Sequence, residues 1–189
     1  MKQTTIIALS ILALPFTSLA DPGSCKGCKN CEKSSCLVSP DIPKDTPAPG
    51  KITKAQREEL RLLQEEERLA YDIYNKLGEK YPLNPFKNIP HSEANHMEAT
   101  ASLLEYHGIP KPGETEPGKY ESPVLQKLYD KLVKRGQKTE IDALRVGALV
   151  EETDIRDLRL MAQNPPSQVA AELSRKLEIA SYNHLRAFV

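Results

Sequence analysis

Glu93 and His96 stand three residues apart, a spacing that puts a carboxylate and an imidazole on one face of a helix, where both reach a common ion. Glu67, Glu151 and His184 each interrupt an otherwise apolar stripe in the same way. Moving a carboxylate into a helical core costs several kcal/mol unless it is paired or coordinates a metal, and three facing one another need cations between them. Carboxylates together with imidazoles suit iron, manganese or zinc. Asp154, three residues after Glu151, is placed to offer a second carboxylate from the same helix, and Tyr74, two turns beyond Glu67, to donate a hydrogen bond to a ligand carboxylate. Each residue alone has a plainer reading: a helix-edge carboxylate with its stem packed and its head wet, or a hydrogen-bonded core histidine. Recurrence on four helices at similar depth favours metal. A rotated helix would exchange Glu67 for Glu66 or Glu151 for Glu152, while His91 reads as solvated and His107 as a charge partner of a helix C-terminus.

Four cysteines form a second constellation, Cys25, Cys28, Cys31 and Cys36. In an exported chain an even count favours disulfides, and the close spacing also suits thiolate binding of zinc or copper. An iron–sulfur cluster is the least favoured reading: the run resembles the bacterial ferredoxin pattern but has too long a last gap and no proline after Cys36, and export of an unfolded chain would require assembling the cluster outside.

Four long helices must position the first constellation. The first starts at Thr53, where Thr53 and Gln56 have the spacing of a capping box, and runs to about Tyr81. Its seam is Leu60, Leu63, Glu67, Ala70, Tyr74 and Leu77. The second begins between Asn84 and Pro90 and stops at Gly108, with Ile89, Glu93, His96, Thr100, Leu103 and His107 on one stripe. A Pro- and Gly-rich segment, Ile109 to Ser122, and a short helix from Pro123 to about Lys134 make a long crossover. The third long helix runs from about Thr139 to Gln163, with Ile141, Leu144, Ala148, Glu151, Ile155, Leu158 and Ala162 on its seam. Asn164-Pro165-Pro166-Ser167 breaks the chain and caps the fourth, whose seam is Leu173, Leu177, Ala180, His184 and Ala187 or Phe188. No strand pattern competes, so the expected fold is all-α, a four-helix bundle with one crossover.

The 189 residues carry 26 Lys and Arg against 26 Asp and Glu, interspersed along every helical stretch, so they read as solvated faces and nucleic acid is not an expected partner. Lys2, the apolar run Ile6–Phe16 and the small residues Ser18 and Ala20 predict a signal peptide over 1–20, cleaved before Asp21. The expected location is periplasmic or secreted. The apolar run is short for a span of roughly 20 residues, and no membrane span is expected in the mature protein. Neither a cysteine at the cleavage point nor a twin-arginine pair is present, which argues against a lipid anchor there and for export of an unfolded chain. Residues 21–52 hold the cysteines and then a Pro-rich stretch, Ser39 to Gly50, expected to be a semi-rigid tether with too little apolar surface to pack; residues 53–189 form the helical domain. A homodimer is allowed.

From about Thr53 to Val189 the chain resembles the ferritin-like superfamily and, within it, the family called domain of unknown function 2202. The resemblance is carried by Glu65-Glu66-Glu67-Arg68-Leu69-Ala70-Tyr71-Asp72-Ile73-Tyr74, Ser92-Glu93-Ala94-Asn95-His96-Met97, Val146-Gly147-Ala148-Leu149-Val150-Glu151-Glu152-Thr153-Asp154-Ile155 and Ser181-Tyr182-Asn183-His184-Leu185-Arg186-Ala187-Phe188. It implies that Glu67 is a terminal ligand, Glu93 a bridging one, His96 a ligand beside it and Glu151 their counterpart on the third long helix, with Asp154 placed like an extra acidic residue of rubrerythrins. The fourth helix departs from the pattern, with Ser181-x-x-His184 where ferritin-like di-iron proteins repeat Glu-x-x-His. One bridging carboxylate is therefore missing, which allows one ion or an asymmetric pair. The expected activity is oxidation of bound ferrous iron by dioxygen or peroxide, of ferroxidase or peroxidase type. The alternative is metal buffering without turnover, by the bundle and the cysteine arm together.

Overall fold

The computed structural model describes residues 42–113 and 115–189. The expected signal peptide and the four cysteines lie outside the described residues. The fold is all-α: α1 (Lys54–Lys80), α2 (Asn84–Tyr106), α3 (Pro123–Gly136), α4 (Glu140–Gln163) and α5 (Gln168–Phe188), with no strand among the described residues.

Local chemistry sets the helix ends where the spacing predicts them. Thr53 caps α1 through a capping box, its side chain accepting from Gln56 N–H while the Gln56 side chain accepts from Thr53 N–H. Thr139 caps α4 and Ser167 caps α5, each accepting an N–H three residues on. At the end of α2, Gly108 takes φ +61°, its N–H donating to Glu105 O and that of Ile109 to Leu104 O. Buried Ile109 and Leu104 belong to one apolar cluster there, so α2 ends in a Schellman motif.

Short turns fold α1 on α2 and α4 on α5 as antiparallel pairs, α2 lies against α5, and the crossover helix α3 rests on both α1 and α4. Pro90 lies inside α2 and has no N–H for the carbonyl of Phe86, and Gly78 of α1 stands against Phe86. A Cβ on Gly78 would meet the Phe86 carbonyl oxygen at 3.3 Å, so a glycine suits that approach.

Two apolar clusters make up the core. One gathers Ala70, Ile73, Tyr74, Leu77, Phe86, Ile89, Val146 and Phe188 with α3 residues Leu125, Leu128 and Leu132. The other gathers Leu60, Leu63, Ala99, Leu103, Leu158, Leu173 and Leu177. Along each long helix the boundary between them falls at a polar residue: Glu67 on α1, Glu93 and His96 on α2, Glu151 on α4 and His184 on α5. The ionisable residues thus form one transverse layer inside the bundle.

Two expectations need correction, and one alternative is resolved. Ile141 is 61% exposed, because α4 has only begun at Glu140 and its first turn extends past the core. Of the two candidates ending the α5 seam, Phe188 is buried against the Tyr74 and Phe86 rings, with centroids 5.2 and 5.4 Å away, and Ala187 is exposed. The Pro-rich stretch, in its described part Ile42–Gly50, lies along α2 and the start of α5 instead of standing off. Tyr106 O–H donates to Pro47 O at 2.8 Å, and Ile52 packs on the second apolar cluster.

Candidate metal centre

All five expected ligands meet in the transverse layer. Glu67, Glu93 and Glu151 are each 2% exposed, His96 1% and His184 9%. They fall into two triads that share one residue: Glu67, Glu93 and His96, and Glu93, Glu151 and His184, with ligand atoms within 4.8 Å of one another in each. Glu93 divides its two oxygens between them. Its Oε2 lies 2.9 Å from His96 Nδ1 and its Oε1 2.9 Å from His184 Nδ1. Glu67 Oε2 is 3.3 Å from His96 Nδ1 and Glu151 Oε1 3.5 Å from His184 Nδ1. The two imidazoles stack with centroids 5.4 Å apart.

These separations test whether a metal fits. Bonds of about 2.1 Å put neighbouring donor atoms about 3.0 Å apart at a right angle and about 3.4 Å apart at the tetrahedral angle. The observed 2.9–3.5 Å spans that interval. Three sealed atoms among the described residues also lack a hydrogen-bond partner: Glu67 Oε1, His184 Nδ1 and, at the end of α2, His107 Nδ1. His184 Nδ1 lies near Glu93 Oε1 without the alignment a hydrogen bond requires. Buried polar atoms left without partners are unusual, and two of the three belong to candidate ligands in the layer, so the donor set suits transition-metal ions of the iron, manganese or zinc kind.

Neighbours hold the donors in place. Tyr74 O–H donates to Glu151 Oε1 at 2.7 Å, as the spacing predicts, and burial with the Glu151 charge keeps this phenol protonated. Ser92 Oγ lies 3.2 Å from His96 Nε2, leaving Nδ1 to face the carboxylates. Ser181 adds nothing to the Glu151–His184 half and directs its hydroxyl to Asp154. Asp154 stands in neither triad, because that hydrogen bond holds its carboxylate to one side.

The layer's electrostatics follow from burial and mutual charge. Burial pushes Glu67 up to about 7 against the pull of His96. It also raises Glu151, and it raises Asp154 well above the carboxylate range with help from the Glu67 and Glu151 charges. Glu93 goes the other way: burial would raise it, but the close approach and charge of His184 and His96 prevail and hold it at about 2. The imidazoles respond in kind. Burial disfavours their charge, yet the facing carboxylates lift His184 to about 10 and His96 well above its ordinary value. Two imidazolium charges are thus one way to balance this layer. Two divalent ions are another, and their binding displaces those protons.

Beside the layer a cavity of about 30 Å³ runs between α1, α3 and α4. Glu93 and Glu151 line it, with apolar Ala70, Leu128, Leu132 and Val150 and acidic Glu66, Asp154 and Asp157. Helical spacing offers Glu66 only as an alternative to Glu67, and Asp157 and Ser92 are not among the expected site residues. Asp157 continues the three-residue series 151, 154, 157 along α4, and Ser92 sits one turn before His96, so helical spacing carried both signals. Glu152 keeps out of both triads and the cavity lining. His91 is exposed as expected. His107 is the C-cap of α2, but burial and the Arg57 charge lower its pKa, so it is no charge partner for the helix end.

Residues 56–189 match the family model described as uncharacterised protein domain DUF2202. The chain is 41% identical over 139 residues to the uncharacterised protein MJ0754 of Methanocaldococcus jannaschii, covering 73% of this chain and 75% of that protein. The crystal structure of hypothetical protein MJ0754 from Methanococcus jannaschii superposes with a TM-score of 0.72 at 39% identity, over 79% of this chain and 83% of that one.

Proposed function

The chain belongs to the DUF2202 family, and we propose that its helical body is a two-ion metal centre, with iron the best-fitting metal, that reacts with dioxygen or peroxide. The observation that carries this reading is the division of Glu93, one oxygen toward Glu67 and His96 and the other toward Glu151 and His184. Each half would receive one carboxylate and one imidazole of its own and share Glu93 between them. Four long helices with a crossover between the second and third support the likeness to ferritin-like di-iron proteins. Ferrous iron held by these residues would supply the electrons for reducing the oxidant. The protein's share is to fix the separation of the ions, shield the layer from bulk solvent at both ends with the two apolar clusters, and hold Glu151 in one orientation through Tyr74. Export through a cleaved signal peptide belongs to the same proposal, as does metal acquisition after export. No helix among the described residues is long and apolar enough to cross a membrane.

A second reading, metal storage without turnover, draws on Ser181. That residue stands where a second bridging carboxylate would come from α5, and its hydroxyl is committed to Asp154. One experiment separates the two: ferrous iron is added in air to the wild-type chain and to a Glu93→Gln chain, and oxygen consumption is followed beside iron content. Two irons per wild-type chain, with oxygen uptake faster than in protein-free buffer, supports the redox reading. Two irons without faster uptake supports storage. Iron content unchanged by Glu93→Gln removes the bundle site from both.

A further inference from the structure

The two halves of the layer are not equivalent. In the Glu67–Glu93–His96 half every residue is at most 2% exposed, and His96 has partners at both ring nitrogens, Glu93 at Nδ1 and Ser92 at Nε2. In the other half His184 is 9% exposed, while each half holds one sealed atom without a hydrogen-bond partner, Glu67 Oε1 and His184 Nδ1, so exposure is what sets them apart. The cavity makes the same distinction, because Glu93 and Glu151 line it and neither Glu67 nor His96 does. An ion leaves a buried site by exchanging protein donors for water one at a time, which requires room for water next to the donors. A cavity of about 30 Å³ has that room, since one water needs about 10–15 Å³. Its polar wall carries the carboxyl groups of Glu66, Asp154 and Asp157, the last paired with Arg156 at 2.8 Å, so oxygen donors that suit divalent cations line the route beside Glu93 and Glu151.

Resting on the two-ion reading above, we propose that the Glu93–Glu151–His184 half is the exchangeable one. Divalent cations reach and leave it through the cavity under α3, while the Glu67–Glu93–His96 half retains its ion. Leu132 of α3 and Ala70 of α1 stand on the apolar side of that route and control its width.

The test uses the full chain loaded with manganese, which prefers oxygen and nitrogen donors and so avoids the cysteines. A chelator is then added, and released manganese is followed by electron paramagnetic resonance. The expected release has two phases of equal amplitude. His184→Ala removes the fast phase and keeps the slow one, and Leu132→Phe slows the fast phase several-fold without changing the loaded stoichiometry. Thermal melting checks that Leu132→Phe is folded, and Ala70→Val narrows the same route if it is not. Release of both ions in one phase, survival of the fast phase in His184→Ala, or no slowing in a folded narrowed variant overturns the assignment and leaves the two-ion reading standing. Uptake of one manganese or none by the wild-type chain overturns both.

Discussion

Replacing Glu93 by Gln preserves side-chain shape and removes the charge that both imidazoles share, so it should damage stability and metal content together. A carboxylate held at about 2 in place of 4.5 is favoured in its ionised form by about 3 kcal/mol, at about 1.4 kcal/mol per unit. That agrees with the roughly 3–5 kcal/mol lost when one partner of a buried ion pair is removed. Because the folded pKa is lowered, this stability is present above the unfolded value of about 4.5 and is lost as pH falls through about 2; a measurement at pH 7 sees all of it. For a chain of this size about 2–4 °C of melting temperature accompanies each kcal/mol, so metal-free Glu93→Gln should melt roughly 6–12 °C below metal-free wild type. Metal content should discriminate further. Glu67→Gln and Glu151→Gln should each lose one ion, whereas Glu93→Gln should lose both, since it alone belongs to both triads. Calorimetry on chelated protein and mass-spectrometric metal analysis on loaded protein read the two effects. A Glu93→Gln chain that melts like wild type and keeps one ion would refute the shared-carboxylate geometry.

In metal-free protein, His184 held at about 10 and Glu67 at about 7 both bind protons more tightly folded than unfolded, so thermal melts should show stability falling as pH rises, from about 4.5 to 7 through Glu67 and from about 6.5 to 10 through His184. The stabilisation conferred by added metal should grow over the upper part of that range, because fewer protons remain to be displaced. Gly147→Ala would put a Cβ 2.3 Å from the Phe188 ring, which is itself packed on Tyr74 and Phe86; chemical denaturation should show a loss of about 1–3 kcal/mol. Asp72 accepts from Gly118 N–H at 2.9 Å and Tyr120 O–H at 2.7 Å, tying the crossover to α1. Asp72→Ala should cost about 1–3 kcal/mol and speed proteolysis between α2 and α3, with metal content unchanged.

Much of the helical frame was readable from local chemistry. Thr53 with Gln56, Gly108 and Ser167 mark helix ends through interactions within a few residues, which any window of sequence contains. Helical spacing likewise places Glu67, Glu93, His96, Glu151 and His184 on inward stripes, since a buried face recurs every three or four residues whatever it packs against. Mid-helix positions suggested a similar depth for these residues, but periodicity does not fix depth along the axis relative to another helix. Only packing decided that the boundary between the apolar clusters falls at Glu67, Glu93, Glu151 and His184 alike, and that Glu93 lies between the two histidines. Asp154 makes the same point. Its position on α4 was right for a ligand, but Ser181, twenty-seven residues away, holds its carboxylate to one side, and no spacing within α4 could reveal that. The Pro-rich stretch has too few apolar side chains to predict packing, yet a backbone carbonyl at Pro47 is sufficient once Tyr106 arrives beside it. The cavity under α3 has no sequence signal either, because it is a space left between three helices whose separation the whole fold determines. Composition and periodicity therefore determined which residues turn inward, through rules that act within a helix; which of those residues meet, and where room remains beside them, was decided by the packing of helices distant in sequence.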